Sequence, residues 1–219
     1  MSGKKQAGAA GGKSIVVIAG EGQNDRDVLR HLVPALRCWP ATKRPKIVEI
    51  GKPMRLNKAQ YQLEPRVDEL RRLAQAQAKR AQARLVGVVV HVDLDHVIDD
   101  RYEARRKQLT KALHEAFDCD TALALAADEM EAWLMLFPGA FPKTNAAWRL
   151  SGVDLKRDLG LIAGGAKERL KSQLKQPQYE ERDAPEVMRR AVENKLVTTC
   201  DRNRNRSYAD FAAELDQWK

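Results

Sequence analysis

Apolar and polar positions along this chain follow two rhythms, and each change of rhythm marks the edge of an element. Four apolar runs are too short for helices and read as strands: residues 14–20, Ile47 to Ile50, residues 85–92 and Thr121 to Ala127. The third is rich in valine and nearly unbroken, the pattern of a central parallel strand covered on both faces. Between the runs, apolar residues recur at helical spacing. Val28, Leu29, Leu32, Val33 and Leu36 form a stripe over 24–37, with Asn24 or Asp25 as its cap. Val67, Leu70, Leu73 and Ala74 do the same in a stretch opening near Pro65, and Leu109, Leu113, Ala116 and Phe117 over 100–117. Met130, Trp133, Leu134 and Phe137 then sit at i, i+3, i+4 and i+7, with Asp128 as N-cap. The order β-α-β-α-β-α-β-α predicts right-handed crossovers and an α/β fold with a mostly parallel sheet flanked by helices.

Beyond Pro138 the rhythm breaks. Prolines and glycines punctuate short helical stretches, so residues 138–219 are expected to form a helical C-terminal extension packed on a 14–137 core. Its last helix, near Ser207 to Trp218, would turn Phe211 and Leu215 inward. Residues 1–13 are rich in Gly, Ala and Lys without an apolar signal core, and are expected to be a disordered leader. No run approaches the length of a transmembrane helix, so no membrane partner is expected. Three widely spaced cysteines, Cys38, Cys119 and Cys200, give neither a disulfide framework nor a zinc knuckle and suit a cytoplasmic protein.

Chemistry enters at the strand ends. Glu21-Gly22 closes the first run, and Asp93-Leu94-Asp95 closes the third. In an open parallel sheet the C-terminal strand ends share one edge, where ligand crevices form. Carboxylates converging there repel one another unless a cation neutralises them, which points to an oxygen-lined site for a hard, magnesium-like cation. The net charge changes the picture further. With 39 Lys and Arg against 30 Asp and Glu, the chain carries +9, so the surface around an acidic pocket must be strongly basic. An acidic site in a basic field is what a phosphodiester-processing protein needs.

These residues resemble the TOPRIM domain of topoisomerases, primases and OLD-type nucleases. The likeness rests on Glu21-Gly22 with Asp25 at the helix start, on Asp93-x-Asp95, and on Met130-Glu131-Ala132-Trp133 after the next strand. Within that superfamily the chain is most similar to small bacterial stand-alone TOPRIM-like proteins. The resemblance covers about 14–137 and implies that Asp93 and Asp95 bind Mg or Mn. It further implies that Glu21 is a ligand or handles protons, that Gly22 lets the backbone approach the metal or phosphate, and that Glu131 completes a second metal position. The implied activity is a metal-dependent nuclease acting on DNA or RNA, with a phage-defence role by analogy. A partner ATPase, another defence protein or a second copy of the chain are further partners in that picture. Topoisomerase chemistry needs a tyrosine in another domain. Tyr61, Tyr102, Tyr179 and Tyr208 exist, but the chain is short for strand passage.

Other readings stand beside this one. Asp-x-Asp after a strand also occurs in haloacid-dehalogenase-like phosphatases, but on the first strand, whereas a βαβα section precedes Asp93 here. Glu129 and Glu131 flank the apolar face of their helix alike, and the resemblance tips the choice to Glu131. His91 alternates with Val90 and Val92 and reads as core, while His96 is placed to donate a proton or touch phosphate. Arg101, Arg105 and Arg106 follow the acidic motif on one helix, as a wet face or as phosphate contacts. Lys195, Arg202, Arg204 and Arg206 make a second basic cluster without interleaved aromatics. A non-catalytic module binding nucleic acid or an ATPase is the alternative to the nuclease.

Overall fold

The computed structural model describes residues 12–56, 63–94, 96–152, 154–161 and 165–218. Residues 1–11 of the expected leader, Tyr61 and Asp95 lie outside the described residues. The strands are β1 (Ser14–Ala19), β2 (Lys46–Glu49), β3 (Arg84–Asp93) and β4 (Asp120–Ala126). The helices are α1 (Gln23–Arg37), α2 (Leu63–Ala81), α3 (Asp100–Ala116), α4 (Met130–Leu134), α5 (Phe141–Thr144), α6 (Ala166–Gln173), α7 (Ala184–Glu193), α8 (Leu196–Thr199) and α9 (Arg206–Asp216). All strands are parallel, in the order β2-β1-β3-β4. The chain is thus an α/β fold with a helical C-terminal region, as the two rhythms predict.

Strand alternation divides the core into two layers. Val16, Ile18, Val89, Ala122, Ala124 and Ala126 face α1 and the helices of the C-terminal region. Ile15, Val17, Val88, Val90, Val92 and Leu123 face α2 and α3. This is the period-two pattern of a sheet covered on both sides. Right-handed crossovers account for it: the chain steps from β1 to β2 in one direction, then crosses back to β3 and β4 in the other. The reversal falls between β1 and β3, the position at whose C-terminal strand ends open parallel sheets bind ligands.

Local departures from the expected elements have local causes. Pro65 sits in the first turn of α2, which begins at Leu63, because a missing N–H costs nothing there. The helix expected through Phe137 ends at Leu134. Bonds from Leu136 N–H to Trp133 O and from Phe137 N–H to Leu134 O tighten the last turn before Pro138. Asp128 is not the N-cap of α4. It takes a left-handed φ of 63°, Glu129 stands at the cap, and the Asp128 carboxylate accepts the Ala166 N–H at 2.7 Å.

The C-terminal region completes the α1 side of the core. α7 packs along α1, and α9 packs along β4. Trp133 stacks on Phe211 at 5.4 Å between ring centroids and meets Tyr208 edge-on at 5.5 Å. Its indole N–H donates to Ser207 Oγ at 2.8 Å, and the Ala127 N–H donates to the same oxygen at 3.2 Å. Phe211 and Leu215 are buried as expected. Truncating an aromatic so enclosed costs about 3–5 kcal/mol. Tyr102, Tyr179 and Tyr208 are fully buried as well. Among the described residues no helix is long and apolar enough to cross a membrane.

Candidate functional site

The site begins with the parity of β3. His91 and Asp93 share the face of Val89, which is the face that α1 covers. α1 starts three residues beyond β1, so its first turn lies over that strand end. Asp25 in this turn reaches back, and its Oδ2 accepts the Gly22 N–H at 3.1 Å. The same Oδ2 stands 3.6 Å from Nδ1 of His91, while Nε2 of His91 stands 3.3 Å from Oδ1 of Asp93. Asp25, His91 and Asp93 each offer one ligand atom, and the three atoms lie within 4.8 Å of one another.

Two glycines make room for this arrangement. A Cβ on Gly20 would meet the His91 Cβ at 3.0 Å, and one on Gly22 would meet Asp25 Oδ2 at 2.4 Å. Gly22 was expected to admit a metal or phosphate to the backbone. Its immediate effect is to admit the Asp25 carboxylate. Arg26, buried one turn into α1, braces the loop by donating to Gly20 O at 3.0 Å and to Gln23 Oε1 at 2.7 Å.

Electrostatics follow from burial and crowding. Burial alone would hold the His91 imidazole neutral. The carboxylates of Asp93, Asp25 and Glu21 outweigh it and push its pKa up to about 9. Neither His91 nitrogen makes a well-aligned hydrogen bond, although both are buried and aimed at carboxylates. Burial also raises the pKa of Asp25, which His91 partly offsets.

A second acidic group borders the first. Glu131, at the start of α4, is buried and accepts the Tyr179 hydroxyl at 3.4 Å. Burial pushes its pKa up to about 7 against the pull of Lys167, and Glu129 and Asp25 add to the rise. Lys167 bridges Glu129 at 2.9 Å and Glu181 at 3.1 Å, and its backbone N–H donates to Glu129. Asp128 and Glu129 thereby hold the first turn of α6, which opens after Gly165 at a φ of 86°.

The residues singled out from sequence are distributed as follows. Asp93 joins the close cluster, and Glu21 adds its charge to His91 from beside it. Glu21 and Glu131 do not share the 4.8 Å cluster, and Asp95 lies outside the described residues. His91 is buried as expected, yet its nitrogens address carboxylates instead of apolar neighbours. His96 is exposed, and its carbonyl accepts the Asp128 N–H at 2.7 Å.

The three arginines of α3 differ in exposure but each has a partner within the chain. Arg101 pairs with Asp99 at 2.7 Å. Arg105 is buried and donates to Leu56 O at 2.5 Å and Gln108 at 2.6 Å. Arg106 pairs with Glu214 at 2.5 Å and Asp210 at 3.5 Å. Arg202, Arg204 and Arg206 likewise bond to Asp216, Asp154 O and Glu103. Sequence reasoning assigned no role to Lys167 or Tyr179, which pack against the acidic edge from far along the chain.

Comparison of the chain with models of known families, with curated proteins and with solved structures finds no match to any of them.

Proposed function

We propose that this protein is a metal-dependent nuclease that hydrolyses phosphodiester bonds at the crevice between β1 and β3. The observation that carries the reading is the Asp25, His91 and Asp93 cluster, with three ligand atoms within 4.8 Å at the switch point of the sheet. The donor set fits a divalent cation. Both nitrogens of His91 are buried without an aligned hydrogen bond, and two carboxylates stand beside them. An imidazole among carboxylates suits manganese better than magnesium.

The chemistry such an ion supplies when bound is activation of water and neutralisation of charge on phosphate oxygens. The chain's own residues prepare the place for it. Asp25 is fixed by the Gly22 N–H, and Asp93 by the end of a central strand. Glu131 changes protonation at about pH 7, so it can hold or release a proton near the crevice under neutral conditions. The net charge of +9 favours a polyanionic substrate. A role in phage defence, with a partner ATPase or a second copy of the chain, rests on the TOPRIM resemblance alone.

A second reading has its own observation. A His91 cation between Asp25 and Asp93 offsets part of their charge without any metal, as a binding module would require. Incubation with labelled duplex DNA, single-stranded DNA and RNA in Mn²⁺ or Mg²⁺ separates the two. The nuclease predicts cleavage that is lost with chelator, in Asp93→Asn and in Glu21→Gln, with circular dichroism unchanged. Equal cleavage by Asp93→Asn would overturn it. Binding without cleavage, and no Mn²⁺ uptake by calorimetry, would establish the binding module.

A further inference from the structure

We propose that the opposite rim of the sheet carries a second functional surface, a basic cleft that grips the phosphate backbone of duplex nucleic acid. The cleft has a volume of about 350 Å³ and is lined by Lys13, Ser14, Arg44, Lys46, Ala81 and Ala83. It lies where β1 and β2 begin and where α2 turns into β3, at the N-terminal ends of the strands. Three separate stretches of chain meet there, residues 12–15, 41–47 and 79–86, and none contains a single Asp or Glu. Lys43, Lys79, Arg80 and Arg84 extend the charge around the rim. Asp120 opens β4, on the side of the sheet away from β2.

The contrast with the other basic groups makes this cleft the better candidate. The arginines of α3 and of the segment before α9 each have a carboxylate or carbonyl partner, whereas Lys107 stands exposed on α3. Lys13, Arg44 and Lys46 are exposed, and none forms an ion pair with a described residue. Like charges gathered without a counter-ion destabilise the fold unless an anion joins them. No aromatic side chain lines the cleft, so stacking on unpaired bases has no platform, and phosphate contacts along a duplex are the fitting chemistry.

The cleft is separated from the acidic crevice by the length of β1, about 20 Å at 3.3 Å per residue. It therefore holds the polymer without touching the scissile bond. This deepens the nuclease reading by giving it a substrate grip, but binding measured in chelator reports on the cleft alone and cleavage on the crevice alone.

The test is fluorescence anisotropy of a labelled 30-base-pair DNA duplex in EDTA across a salt series. Arg44→Ala/Lys46→Ala should weaken binding most at low salt and flatten the log–log salt slope by about 1.8, two contacts at about 0.9 each. Lys107→Ala/Lys111→Ala, which removes the same charge from the exposed face of α3, should change the slope by much less. Equal losses in the two variants would reduce the effect to net charge and overturn the proposal. So would an unchanged slope in the cleft variant, or no duplex binding by the wild-type chain.

Discussion

Nε2 of His91 stands 3.3 Å from Oδ1 of Asp93, two residues further along the same strand and on the same face of the sheet. This contact makes the imidazolium the natural occupant of the cluster when no metal is bound. The ordinary His pKa of 6.5 rises to about 9 in the fold. The stability that the charged ring contributes is therefore complete below pH 6.5 and is lost as pH rises through 9. Its upper bound is about 3 kcal/mol, at 1.36 kcal/mol per pKa unit. Urea denaturation at pH 7 and pH 9.5 should show a larger drop for the wild type than for His91→Asn. Apparent Mn²⁺ affinity should move the other way, rising as much as tenfold per pH unit up to pH 9 because binding displaces one proton. Equal denaturation midpoints at the two pH values would contradict the first expectation, and a flat affinity profile the second.

Gly22 is required by a side chain rather than by its own backbone. Its φ of −94° and ψ of 156° are open to any residue, but a Cβ would lie 2.4 Å from Asp25 Oδ2. Gly22→Ala should push the carboxylate away from His91 and weaken Mn²⁺ binding about tenfold, within the range set by outer groups that orient ligands. Stability should change by about 1 kcal/mol or less, since α1 keeps its remaining bonds. Calorimetric titration beside thermal denaturation checks both halves. Unaltered metal affinity would mean that Asp25 is not a ligand.

Glu131 is held neutral by burial, with a pKa of about 7 against an ordinary 4.5. For a carboxyl raised in this way the cost of ionisation is absent below pH 4.5 and fully present above pH 7. Glu131→Gln should match the wild type in stability near pH 4 and exceed it at pH 8, by up to about 3 kcal/mol. The amide oxygen can still accept the Tyr179 hydroxyl, so packing is preserved. A variant less stable than the wild type at pH 8 would show that Lys167 attracts the charge more strongly than burial repels it.

Much of this architecture is legible in the sequence because its signals are local. The valine run of β3, the period-two alternation of β1 and the stripe of α1 each specify an element within a few residues. The acidic strand ends were visible for the same reason. What could not be read was the pairing of Asp25 with His91. Asp25 looks like an ordinary first-turn acid, and a histidine among valines looks like packing. Their relation depends on which face of β3 is covered by α1, a property of topology and not of either segment. Two of the α3 arginines have partners that their helix does not announce. A charged helix face suggests solvent, whereas Arg105 finds Leu56 O, and Arg106 finds Glu214 on a helix formed much later in the chain.

The hold of Asp128 and Glu129 on the first turn of α6 has a consequence for how the molecule comes apart. The loop that follows β4 is stitched to the region beyond residue 138, and the α1 side of the sheet is sealed by α7 and α9. Residue 137 is therefore no seam. A chain cut there would leave Trp133 bare of Phe211 and Tyr208 and the acidic rim without its lysine, so the two parts should melt in a single transition.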